Sequence, residues 1–226
     1  DKCLCGGRDP TAPTHHDLSC NRWAAFTAGH EIIVHALERL CISGGIPVQT
    51  GSKVPKKSPN LDQRADVHTK LVTDKPSEVI DVSIVHATRG NDEPVVEAEA
   101  RLQPATIKAA LKTKHNAKNA KYAAAYRAAD HTFVPYVIAS RGPIDPEAQR
   151  LLYFIAAATT LQHMHYYTTD LKYETIMARN IQRVNAVASA AIGLGIAVRA
   201  RGLARGRIGQ DHPRHGWRMH DDIVAE

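Results

Sequence analysis

The segment from Gln63 to Ala87 reads as two strands, around VHTKLV and VIDVSIV, joined by the turn chemistry of TDKPSE. Each carries an aspartate, Asp66 and Asp81. Aspartate is depleted in strands, and a desolvated carboxylate without a partner is costly. One such residue could cap a strand end; two on paired strands ask for a shared purpose. Two carboxylates on adjacent strands can hold a hard divalent cation, Mg²⁺ or Mn²⁺, which takes oxygen ligands and completes its shell with phosphate oxygens. Such an ion activates water and neutralises charge on a phosphoryl group. That chemistry also asks for a nearby cation and a basic channel for a polyanion.

A basic segment follows. From Arg101 to Arg127 there are seven lysines or arginines and no acid: Arg101, Lys108, Lys112, Lys114, Lys118, Lys121 and Arg127. Lys114, Lys118 and Lys121 are spaced to share one helical face, with Tyr122 beside them. A solvated lysine face is the ordinary explanation of such a stripe. The lack of any acid favours an anionic partner instead, because like charges at helical spacing cost stability unless something neutralises them.

The first 22 residues offer a different constellation. Cys3, Cys5, His15 and Cys20 form a CCHC set in a polar, Gly-containing segment, and thiolates with an imidazole suit tetrahedral Zn²⁺. His16 competes with His15, and the CxC start is tighter than the common CxxC. The alternative is reduced surface cysteines beside unrelated histidines. Glu31, next to His30, becomes a third carboxylate only if its helix packs beside the two strands. Glu97 and Glu99 read as an exposed strand edge, and His163 and His165 as a polar helix end.

The elements that must position these residues follow from periodicity. WAAFTAGHEIIVHALERLC, Trp23 to Cys41, has the pattern of an amphipathic helix. SGGIPVQTGSKVPKKSPN reads as loop, with a short strand at IPVQT. After the strand pair, TRGNDEP is a loop, and Pro104 to Ala129 is Ala- and Lys-rich and helical. FVPYVIAS, Phe133 to Ser140, reads as a third strand, with Pro135 calling for an edge position or a strand start. Asp145 as N-cap with Pro146 behind it starts another helix. A last helix is expected from Tyr173 to Val198, and a basic, Gly-rich, disordered tail after it. The order is an α/β arrangement with a small central sheet between helices.

Bulk composition agrees. The 226 residues suffice for one core of ordinary size, at 43% hydrophobic and 23% charged, with a net charge of +6 that leans toward nucleic acid first and an anionic membrane surface second. No run reads as long enough to span a bilayer: AVASAAIGLGIAV is short and reads as a buried helix. Cys41 sits in an apolar run as a small buried hydrophobe. The chain shows no signal peptide and opens as if cut from a longer polypeptide.

These motifs, in this order, resemble the C-terminal restriction-like endonuclease region of the polyproteins of site-specific non-LTR retrotransposons, downstream of the reverse transcriptase. The likeness runs through the CCHC set, a helix bearing His30-Glu31, Arg64-Ala65-Asp66, Val79-Ile80-Asp81-Val82, and the Lys118-x-x-Lys121-Tyr122 run, over roughly residues 3 to 200. Ala65 stands where the family has proline, and Gly29 where it has arginine. The resemblance implies a small mixed sheet flanked by helices, like PD-(D/E)xK nucleases, a zinc knuckle over residues 1–22, the nuclease domain over 23–160, a helical segment over 161–200 and a tail over 201–226. It implies Mg²⁺ or Mn²⁺ on Asp66 and Asp81, catalytic help from Lys118 or Lys121 with Tyr122, and DNA contacts from Arg64, Lys108, Lys112, Lys114 and Arg127. The expected activity is nicking of target DNA in the nucleus to prime reverse transcription, with element RNA as a further partner and no membrane. A nucleic-acid-binding module without catalysis, and a structural α/β domain whose aspartates only cap turns, are the rival expectations.

Overall fold

The computed structural model describes residues 23–58, 61–72, 74–85, 103–140, 143–166 and 172–205. The CCHC set, Arg101, the loop at 89–94, Glu97, Glu99 and the tail past 205 lie outside the described residues, as does the side chain of His165.

The chain enters through helix α1 (Trp23–Ser43), whose inward stripe is Ile33, Val34, Leu37, Leu40 and Cys41. Its end is a Schellman motif. Gly45 takes φ +65°, its amide donates to the Ile42 carbonyl, and the Ile46 amide donates to the Cys41 carbonyl. Glycine adopts that left-handed conformation without a Cβ clash, so the Gly44-Gly45 pair stops the helix and turns the chain into β1 (Val48–Thr50). A hairpin of β2 (Lys56–Ser58) and β3 (Leu61–Arg64) follows; the sequence suggested loop for the β2 stretch and assigned no element to β3. The hairpin's Lys/Pro-rich sequence lacks the β-branched alternation of a strand, and β2 and β3 pair antiparallel with Lys56 opposite Arg64.

The main sheet has the strand order β1–β4–β5–β6, with β4 (Val67–Thr69), β5 (Ser77–Val85) and β6 (His131–Ala139). The expected strand pair is the antiparallel β4–β5, in register Val67↔Ile80. Strands β5 and β6 are parallel, which requires a crossover, and helix α2 (Pro104–Ala128) provides it. Pro135 sits on β6, an edge strand as its missing N–H demands. Asp130, with φ +58°, makes the tight turn from α2 into β6; short polar side chains tolerate that conformation.

Helix α3 (Pro146–His163) starts as its residues dictate: Asp145 is the N-cap, its carboxylate accepts the Glu147 amide, and Pro146 takes the first helical position. Helix α4 runs Tyr173–Arg205, seven residues beyond the expected end at Val198. Over Tyr173–Val198 it is long and apolar enough to cross a membrane by length and composition, which corrects the expectation drawn from the shorter apolar run. The difference lies upstream, where Ile176, Met177, Ile181 and Val184 extend the apolar pattern. Met177, Val184, Ala188 and Ile192 of α4 join the core formed with α1, α3 and the sheet, while Arg179 and Arg183 lie on its exposed face.

The sheet thus separates two unequal layers. On one face Val67, Ile80, Val82, Tyr136 and Ile138 pack with α1, α3 and α4 into the main core. The other face carries α2, with Val54 and the lead-in to β2 packed beside it at one end. Beneath it, Val85, Val137 and Ala139 meet Ile107 and Leu111 at one end. Val79 and Phe133 meet Tyr122, Ala123 and Tyr126 at the other. Alternation along β5 turns Val79, Asp81, Ser83 and Val85 toward α2, so Asp81 and Ser83 fall in the gap between these two apolar clusters.

Candidate active site

Asp81 lies in the middle of β5 at 3% exposure. A carboxylate buried this deeply needs a charged partner. Lys118 supplies it: the helix phase that seats Leu111 and Tyr122 also turns residue 118 toward the sheet, and Lys118 Nζ donates to Asp81 Oδ2. The stripe of Lys114, Lys118 and Lys121 therefore does not act as one face. Lys118 is half-buried against the sheet, while Lys114 and Lys121 are exposed on the flank, and Lys108, Lys112 and Arg127 are exposed elsewhere on α2.

Asp66 is not on a strand. It occupies the bend between β3 and β4 and ends the ladder there. Its amide donates to the Ile80 carbonyl at 2.9 Å, and its carboxylate Oδ2 accepts the Val82 amide at 2.6 Å. This is the strand-end capping that an isolated aspartate suggests. Since Val67 pairs with Ile80, the antiparallel register carries Asp66 in beside Asp81.

His30 completes the acid side. Its Nε2 is 3.2 Å from Asp66 Oδ2 and its Nδ1 is 3.7 Å from Glu31 Oε1. Burial disfavours the imidazolium, but the hydrogen bond to Asp66 and the charges of Asp66, Glu31 and Asp81 outweigh it, so the pKa of His30 is raised above its usual value. Helix α1 does pack beside the strand pair, yet Glu31 reaches the site only through His30 and is itself half-exposed. Asp66 and Asp81 are the residues here that could share a hard cation. Among the described residues no group of three or more His, Cys, Asp or Glu side chains is arranged to hold a metal ion.

Tyr122 lies under the amines of Lys118 and Lys121, at 5.8 Å and 5.0 Å from its ring centroid, and meets Phe133 edge-on. Tyr126, one turn on, stacks on Phe133 and donates its hydroxyl to the Pro55 carbonyl. Burial pushes that hydroxyl up to about 12, and the charges of Asp81 and Asp66 act in the same direction. Arg64 donates to the Val54 carbonyl at 2.7 Å and so ties β3 to the lead-in of β2, whose Lys56 is exposed. His163 closes α3 against Tyr166 at 6.0 Å between rings.

Sequence reasoning did not single out His115, Asn119, Asp145 as an acid, or Tyr126 for this region. His115 Nδ1 is 2.9 Å from Asp145 Oδ2, and Asn119 Nδ2 is 2.8 Å from His115 Nε2. The usable signal was spacing: His115 precedes Lys118 by three and Tyr122 by seven, which puts all three on one helical face.

No protein family, curated protein or solved structure matches the chain.

Proposed function

We propose that the protein is a metal-dependent DNA endonuclease domain of the restriction-like, PD-(D/E)xK type, belonging to a non-LTR retroelement polyprotein and nicking target DNA to prime reverse transcription. The observation that carries this reading is the Asp81–Lys118 pair, set in the polar gap between two apolar clusters with Asp66 beside it. A buried ion pair contributes little net stability compared with apolar residues of similar size, so its use here points to chemistry. The helix that brings Lys118 has no acid along its length, which suits a polyanionic substrate.

Asp66 and Asp81 would hold Mg²⁺ or Mn²⁺. Their hard oxygen donors fit the ion, which commonly takes one or two carboxylates and completes its shell with water and phosphate oxygens. The bound ion supplies Lewis-acid stabilisation of the phosphoryl group and a more acidic water. Lys118 offsets the charge of Asp81 and presents a donor for a scissile phosphate. Lys121, over Tyr122, adds a second amine at the mouth of the gap, and His30 offsets the charge of Asp66. Lys108, Lys112, Lys114, Arg127 and, on the β2–β3 hairpin, Lys56 would follow the DNA backbone. Zn²⁺ on Cys3, Cys5, His15 and Cys20 belongs to this reading on ligand types alone.

A second reading, a nucleic-acid-binding module without catalysis, is favoured by one observation: one oxygen of each carboxylate already has protein partners, Val82 and His30 for Asp66 and Lys118 for Asp81. Nicking of supercoiled plasmid in Mg²⁺ or Mn²⁺ at low salt separates the two. The expected result is metal-dependent nicking that Asp66→Asn and Asp81→Asn abolish while DNA binding persists. Tight, salt-sensitive binding with no nicking by the unaltered protein would establish the binding module.

A further inference from the structure

Helix α2 is held to the sheet by apolar contacts at both ends and by the Lys118–Asp81 pair in its middle, where His115 also ties it to the start of α3. That middle turn bears Lys118, a long side chain that loses rotamer freedom when held in one place. We propose that His115 is a positioning residue for Lys118, acting as a strut from the N-terminus of α3 to this turn. The role builds on the proposed site, and its structural part stands independently of any activity.

The strut begins at a rigid point. Asp145 is 4% exposed; its amide donates to the Val137 carbonyl, and its carboxylate accepts the Glu147 amide that starts α3. The same carboxylate oxygen receives His115 Nδ1. With its proton on Nδ1, a neutral imidazole keeps a lone pair on Nε2 for the Asn119 amide, so both ring nitrogens are used. Residues 115 and 119 straddle Lys118, and the bond between them closes the turn that carries it. Val137, which anchors Asp145, pairs in register with Ser83, two residues along β5 from Asp81. Both ends of the Lys118–Asp81 pair are thereby referred to one piece of β5 and β6. Without the strut, the middle turn loses its tie to the start of α3 and relies on the ion pair to hold it to the sheet.

The test is the reactivity of individual lysines in the full chain toward an acylating N-hydroxysuccinimide ester, read by peptide mass spectrometry. Lys118 should react slowly in the unaltered protein, and exposed Lys114 serves as the internal control. In His115→Ala, labelling of Lys118 should rise while Lys114 stays unchanged; His115→Asn, whose amide can donate to Asp145 in place of Nδ1, should restore slow labelling. If the loss of a partner for Asp145 unfolds His115→Ala, Asn119→Ala takes its place and should also speed Lys118 alone. Unchanged labelling of Lys118 in the folded variant overturns the proposal, and so does equal acceleration at Lys114, which marks general loosening of α2. Where the unaltered protein nicks DNA, the same variants should slow nicking by up to about 100-fold with DNA binding kept, as displacement of a reacting group by about 1 Å does. Absence of nicking by the unaltered protein overturns the proposed activity and leaves the labelling result to decide the strut.

Discussion

Asp81 and Lys118 are each other's charge partner in a place largely closed to water, with side chains 4% and 18% exposed. Removing one takes from the other, in a largely dry place, the charge that its burial is balanced against. Asp81→Leu alone, or Lys118→Met alone, should cost about 3–5 kcal/mol in urea unfolding. The double change should recover most of that, because an apolar pair of similar volume continues the clusters on either side. A double variant as unstable as the singles would mean that the gap needs polarity for folding. Asp66 differs, since it accepts a strand amide and acts as a cap whatever else it does. Cys41, by contrast, is the buried hydrophobe its apolar run implied: it is fully buried, and burial pushes its thiol up to about 12.

At the level of elements, α1 and α4 cross where Gly29 meets Gly195. A Cβ on either would lie 2.6 Å from the other's carbonyl oxygen, and backbone cannot step aside as a side-chain tip can. Gly195→Ala should therefore cost about 1–3 kcal/mol or more by overpacking. Gly193→Ala, two residues away with nothing within 4 Å, should gain up to about 1 kcal/mol from helix propensity. Urea midpoints of the two variants moving in opposite directions would confirm the crossing. The sheet carries a second testable feature, a hydrogen-bonded row from Gln49 through His68 and Ser77 to His131, one residue from each strand. Burial, and then the charge of His131, lower the pKa of His68 below 6.5. The unfolded chain binds that proton more readily, so stability is full above about pH 6.5 and falls as pH drops toward the lowered value. In His68→Gln this part of the acid sensitivity should disappear from a series of urea unfolding curves between about pH 5 and pH 8.

At the scale of the whole molecule, the described residues include one helix, α2, that carries six basic residues and no acid. DNA affinity should fall steeply with salt, and each phosphate-contacting lysine removed, Lys112→Ala for example, should reduce the logarithmic salt slope by about 1 without changing sequence preference. A slope unmoved by Lys108, Lys112, Lys114 and Lys121 substitutions would take the DNA off this face. Much of the architecture was legible because local rules decide it. The Asp145-Pro146 start of α3, the Pro135 edge strand, the Gly44-Gly45 stop and the β4–β5 pair each depend on a few neighbouring residues. The β2–β3 hairpin was not legible, because its lysines and prolines carry no strand pattern, and α4 ran longer than its most apolar stretch. The site was legible in part. Residue types and order nominated Asp66, Asp81, Lys118 and Tyr122 with no contact known. By itself the sequence determined which segments are helix or strand and where charge accumulates, since these follow from spacing and propensity along the chain. Only the tertiary structure decided that Lys118 turns inward while Lys114 and Lys121 do not, that Asp66 caps a strand, and that His115 reaches Asp145. The Lys118 and His115 pairings join residues 37 and 30 apart and depend on how α2 rotates on the sheet, while the Asp66 cap joins residues 16 apart and depends on the register of β4 on β5; packing between separate segments sets both.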